Sequence, residues 1–166
     1  ALPKANLGWS NNFNWKNFNL GFLISARLGG IVFSRTQAML DYYGVSEASA
    51  DARDLGHVVV NGNDYINPQT WYSVIGSGTS VPQYYTYSAT NVRLQEVSFG
   101  YTFPRRMLKD ICDVRVSLIG RNLWMIYNKA PFDPESIART DNSYQGIDYF
   151  MMPALRNIGF SLNFKF

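Results

Sequence analysis

The residues best equipped for chemistry in this chain are aromatic. Tyr42-Tyr43, Trp71-Tyr72, and Tyr84-Tyr85 with Tyr87 fall in one polar stretch. Tyr and Trp join a large apolar face to a polar handle, so such groups stack on sugar rings, pack against a protein partner, or pack on one another. Catalysis has far less to draw on. The single histidine, His57, precedes Val58-Val59-Val60, and no Ser or Asp near it sits in a nucleophile motif. The chain therefore reads as no enzyme. One cysteine, Cys112, can make neither an internal disulfide nor a metal cluster, and beside Ile111 it reads as a small buried hydrophobe. Asp133-Pro-Glu135, Asp141 and Asp148 lack the spacing and dense oxygen shell of a calcium loop and read as solvated loop charge. No cofactor is expected.

The elements that must position these residues announce themselves by alternation. From Ile158 the even positions Ile158, Phe160, Leu162, Phe164 and Phe166 are apolar, while Gly159, Ser161, Asn163 and Lys165 are small or polar. Period two means a strand with one greasy and one wet face. The same pattern marks strands near 5–15, 17–34, 91–104, 112–128 and 154–166. Lys16-Asn17 reads as a two-residue hairpin turn, 105–111 as a short turn after Pro104, and the slip between Gly120 and Leu123 as a bulge. The connections 35–90 and 129–153 are long. Within the first, Thr36–Tyr43 and Ser46–Leu55 read as short helices, the second with Ser46 as N-cap.

Composition says which solvent those faces meet. The chain has 166 residues, of which 16% are charged and 16% aromatic, with eleven Tyr and eleven Phe; an ordinary soluble domain is about 25% charged. Its net charge of +3 is scattered and lacks the footprint of a nucleic-acid binder. No apolar run reaches the length of a transmembrane helix. Strands of alternating character with aromatic ends, joined by connections that alternate short and long, fit a membrane β-barrel instead. Phe18, Leu20, Phe22, Val97, Phe99, Val116, Ile158, Phe160 and Leu162 are expected to face lipid. Ser25, Ser98, Gly100, Ser117 and Ser161 are expected to face the lumen, together with the charges Arg27, Glu96, Arg115 and Arg121. About five strands cannot close a barrel, and an open sheet with a lipid face would leave two bare edges. The expected fold is all-β, an antiparallel sector of a larger transmembrane β-barrel with long extracellular loops.

Three stretches resemble the C-terminal end of SusC/RagA-type TonB-dependent transporters of Bacteroidota: N-V-R-L-Q-E-V-S-F-G-Y-T-F-P from Asn91, G-R-N-L-W-M-I-Y-N-K-A-P-F-D-P-E from Gly120, and Q-G-I-D-Y-F-M-M-P-A-L-R-N-I-G-F-S-L-N-F-K-F from Gln145. The resemblance implies a barrel of about 22 strands with a plug, in the outer membrane. It implies a SusD-like surface lipoprotein over the barrel and energy from a TonB complex acting through the plug. The imported substrates would be oligosaccharides or oligopeptides. It also implies that Phe164 and Phe166 form a tail read by the barrel-assembly machinery. Ala1-Leu2-Pro3-Lys4 is neither an initiator methionine nor a signal peptide, so the expectation is a C-terminal piece, with the plug and remaining strands outside it. The competing function is a surface lectin or adhesin-type β-domain that transports nothing.

Overall fold

The computed structural model describes residues 2–77, 81–104, 112–136 and 145–165. In chain order the elements are β1 (Ala5–Trp15), β2 (Phe18–Leu28), β3 (Ile31–Ser34), α1 (Arg35–Tyr42), α2 (Glu47–Leu55), β4 (Val58–Val60), β5 (Asp64–Ile66), α3 (Pro68–Ile75), β6 (Thr86–Ser88), β7 (Asn91–Phe103), β8 (Asp113–Asn128), β9 (Ile147–Asp148) and β10 (Asn157–Lys165). They gather into two compact units. One, the sheet unit, comprises Pro3–Gly30, Ala89–Glu135 and Pro153–Phe166; the other, the helical unit, comprises Ala1–Leu2, Ile31–Ser88 and Ser136–Met152. The expected turn at 105–111, with Ile111, and the residues Ala1, Asp141 and Phe166 lie outside the described residues.

The sheet unit is one antiparallel sheet in the order β1-β2-β7-β8-β10. Trp15 pairs with Phe18 across Lys16-Asn17. Lys16 takes φ +52°, the left-handed conformation that a two-residue hairpin loop demands. Pairing places side chains in rows on one face: Phe13, Leu20, Phe99, Leu118 and Phe160 form one, and Phe22, Val97, Gly120 and Ile158 the next. Between Leu94 and Glu96 the register of β7 shifts against both neighbours, opposite Arg121–Trp124 of β8. That is where the alternation of β8 slips, and it explains why the apolar positions of β7 change from even (Val92, Leu94) to odd (Val97, Phe99). Among the described residues the edge strands β1 and β10 pair on one side only. The sheet is an open strip.

The strand expected over 17–34 is two strands. Gly29 and Gly30 both adopt positive φ (77° and 83°), ending β2 at Leu28 and redirecting the chain. Past this turn, β3 pairs antiparallel with β6 and parallel with β9 in the helical unit.

The long connection without alternation is a folded unit built on capped helices. Ser34 Oγ caps α1 by accepting the Gln37 N–H at 3.1 Å, and Ser46 Oγ caps α2 by accepting the Ser49 N–H at 3.1 Å. Gly56, at φ +78°, closes α2 in the left-handed conformation. Helix α3 was not expected; Asn67 caps it and Pro68 opens it. Ala38, Ile75 and Tyr85 form the core, with Phe33, Trp71 and Tyr72 packed against it. Gly76 lets α1 and α3 touch, since a Cβ there would meet the Ala38 carbonyl oxygen at 2.5 Å.

Candidate functional site

The apolar face of the sheet is the largest chemical feature of the sheet unit. Ile158 and Phe160 are 75% and 77% exposed, and Leu7, Trp9, Phe13, Leu20, Phe99, Leu118, Trp124 and Leu162 are exposed with them. Phe13, Phe22, Phe99 and Phe160 lie in its middle rows, and its Trp and Tyr residues stand toward the two ends. At the hairpin end Phe18 lies 4.8 Å from Tyr101 and 6.4 Å from Trp15, and Tyr101 lies 4.8 Å from Phe103. At the other end stand Trp9, edge-on to Phe22 at 5.4 Å, and the exposed Trp124 and Tyr127. A continuous apolar surface of this extent is well beyond what scattered surface residues give, and marks a face built to meet something other than water.

The opposite face is polar. Ser25, Ser98, Gly100, Ser117 and Ser161 lie on it, as do Arg27, Glu96, Arg115 and Arg121. Arg121 Nε bonds Glu96 Oε2 at 3.0 Å between β8 and β7. Arg115 donates to Asn19, and Asn19 to Asn14, so the polar groups are linked across β8, β2 and β1. The Glu96–Arg121 pair is solvent-exposed on both sides, and a pair so exposed adds little stability.

Sequence reasoning missed the most buried charge on this face. Arg93 is 6% exposed, and its Nη2 reaches Asp133 Oδ1 at 2.7 Å and Glu135 Oε2 at 3.3 Å. Asp133 also accepts the backbone N–H groups of Glu135 and Ala154, at 3.1 and 3.3 Å. Asp133 is therefore a buried clamp joining the segment after β8 to the segment before β10, and the reading as solvated loop charge fails for it. It fails for Asp148 too, which is 6% exposed and accepts from Ser34 Oγ at 2.9 Å. The available signal was Arg93 itself, whose place in an alternating strand puts a guanidinium inward and calls for an acid. Cys112 is half-buried, not buried.

In the helical unit the aromatic candidates separate. Tyr85 is 2% exposed and donates its hydroxyl to Asp41 Oδ2 at 2.9 Å, so it belongs to the core and cannot contact a ligand. Burial first, then this hydrogen bond and the negative charge of Asp41, hold its phenol well above the usual tyrosine range. Burial and Asp41 also raise Tyr72 and Tyr87. Tyr72 donates to the Ala48 carbonyl at 3.1 Å, and Trp71 packs edge-on against Tyr84 at 5.5 Å. Tyr42, Tyr43 and Tyr84 remain exposed. Tyr42 and Tyr43, edge-to-face at 5.1 Å, line a cleft of about 270 Å³ with Tyr72, Gln69, Ser49 and Arg53, above the buried Asp41. His57 lies outside it, its ring 4.7 Å from Tyr65. Among the described residues no cluster of His, Cys, Asp and Glu could hold a metal ion.

No family model matches the chain. Over 171 aligned positions it is 29% identical to TonB-dependent receptor P3 of Formosa agariphila, an alignment covering 99% of this chain and 16% of that protein. Among solved structures it resembles the RagAB peptide importer in its open-open state, with a TM-score of 0.71, 16% identity, and coverage of 99% of this chain and 17% of that one. A second structure, of the RagAB peptide transporter, matches 73% of this chain and 13% of its own with a TM-score of 0.52 and 17% identity. The chain thus spans about a sixth of the length of these relatives. It is similar in sequence and in fold to a segment of SusC/RagA-type TonB-dependent transporters.

Proposed function

We propose that the sheet unit is the C-terminal wall sector of an outer-membrane barrel of about 22 strands, and that the whole protein imports oligosaccharides or oligopeptides. The observation that carries this reading is the two-faced open strip. Six apolar rows, from Phe103–Val114–Phe164 to Ala26–Val92–Tyr127, span about 34 Å along the strands, or about 26 Å at a 40° tilt. The apolar band of an outer-membrane barrel is about 25 Å tall and flanked by aromatic girdles. The exposed edges of β1 and β10 then pair with the remaining strands, because hydrocarbon offers an unpaired backbone no substitute. The polar face, with Arg27, Glu96, Arg115 and Arg121, turns to the lumen and its plug. The connections 35–90 and 129–153 lie outside the cell, where Tyr42, Tyr43, Tyr84 and the flanking Trp71, Tyr72 and Tyr87 meet a SusD-like lipoprotein or the substrate. A TonB complex acting through the plug supplies energy, and Phe164 and Phe166 form the tail that the assembly machinery reads. A lectin or adhesin-type domain is disfavoured because such a fold covers its apolar face internally. Fractionation of cells carrying the full-length protein tests the reading. Recovery in the outer membrane, released only by detergent, with loss of oligomer uptake on deletion, is expected; release into plain buffer with uptake intact would overturn it.

A further inference from the structure

We infer that the cleft between α1, α2 and α3 is a subsite for one sugar unit of a neutral oligosaccharide. The inference rests on the import reading and chooses among its substrate classes. Size comes first: about 270 Å³ is just below the range of pockets that enclose drug-sized ligands, so the cleft takes one residue of an oligomer and not its whole length. The lining is of two kinds. Tyr43, 67% exposed and braced edge-on by Tyr42, supplies an aromatic platform. Gln69 supplies an amide that can both donate and accept, and Arg53 a planar guanidinium. Arg53 is anchored by one nitrogen, Nη1, which donates to the Gly44 carbonyl. Platform, amide and guanidinium together suit a ring with an apolar face and hydroxyls at its rim.

A peptide bound as an added strand needs an open sheet edge, and one bound as a helix needs an apolar groove. The cleft provides neither. Several terminal groups of its helices are already used: Asn67 caps the Gln69 and Thr70 N–H groups, Ser46 caps that of Ser49, and the carbonyls of Met39, Leu40 and Asp41 accept from Tyr43, Val45 and Gly44. Asp41 is buried, with both oxygens engaged by Gln37 and Tyr85, and forms a rigid floor instead of a free anion.

Saturation-transfer NMR on the detergent-solubilised full-length protein decides it, with laminarihexaose, cellohexaose and mannohexaose as probes and a neutral hexapeptide as comparison. One hexaose should receive saturation on its ring protons. Tyr43→Ala and Gln69→Ala should each lower its affinity roughly fivefold or more, Tyr43→Phe should retain it, and heat-modifiable gel mobility should stay unchanged in all three. No response from any hexaose, a response indifferent to Tyr43→Ala and Gln69→Ala, or a response from the peptide alone would overturn the inference. Binding is read on purified protein, so a failure of import leaves this result standing, and the converse holds.

Discussion

An arginine at Phe160 is expected to be among the most damaging single changes in the sheet. Phe160 pairs with Leu118 in the row that continues through Phe99, Leu20 and Phe13, between the hairpin-end aromatics and the Trp9–Trp124 end. With Ile158 it straddles the middle of the apolar band, and it is 77% exposed on that face. A cation at the midplane of a barrel's lipid face costs about 2–4 kcal/mol, which is a shift of roughly 30- to 700-fold in the folding equilibrium. Ser161, the adjacent residue, pairs with Ser117 on the polar face, where an arginine meets water or polar neighbours and costs much less. Urea titration of the full-length protein in lipid vesicles, read by heat-modifiable gel mobility, compares the two variants. Phe160→Arg should lower the unfolding midpoint clearly more than Ser161→Arg. The opposite order would mean that the faces are reversed, and the assignment of lipid and lumen sides would fall with it.

Arg93→Ala leaves Asp133 buried without its cation, and removing one partner of a buried pair costs about 3–5 kcal/mol; protease sensitivity of the segment after β8 should rise, whereas Arg121→Ala should change little. Gly76→Ala drives a methyl against the Ala38 carbonyl and the Tyr42 backbone nitrogen, 2.5 and 2.9 Å away, and should destabilise the helical unit by about 1–3 kcal/mol in limited proteolysis while the sheet still assembles. Alkaline pH should loosen the helical unit. An unfolded tyrosine ionises near pH 10, whereas folded Tyr85 is held above that by burial and by Asp41, so its contribution is complete below about pH 10 and is lost as the pH climbs toward its folded value, by up to about 1.4 kcal/mol per unit. Tyrosinate absorbance should appear together with loss of near-ultraviolet dichroism; ionisation well before that loss would contradict the placement of Tyr85.

Where one face of a strand meets a different solvent from the other, the residues say so, and the five strands of the sheet could be read from Leu7, Phe22, Phe99, Val116 and Phe160 and their polar neighbours. The bulge opposite Arg121–Trp124 was legible for the same reason, because a change of phase is visible in an alternating pattern. Alternation misled at Gly29-Gly30. Val32 and Phe33 continue the apolar character of β2, but two left-handed glycines send them to partners, Thr86–Ser88 and Ile147-Asp148, that are remote in sequence and leave no local trace. The Asn67-Pro68 cap of α3 was in view but stood in a stretch dominated by Gly, Asn and Ser. Tyr84 and Tyr85 show why the candidate site was only partly legible. They are adjacent and identical, and the short 3-10 turn Pro82–Tyr85 exposes one and buries the other on Asp41, a partner that no spacing rule supplies.

If the apolar face of this sheet lies against hydrocarbon, spin-label accessibility along β10 alternates from residue to residue. Labels placed singly at Ile158 through Asn163 in the full-length protein, reconstituted in vesicles, are exposed in turn to oxygen, which concentrates in lipid, and to a water-soluble nickel chelate. A period of two is expected, with labels at 158, 160 and 162 relaxed by oxygen and shielded from nickel, and those at 159, 161 and 163 not. Uniform accessibility to nickel along the strand, or the opposite phase, would contradict it.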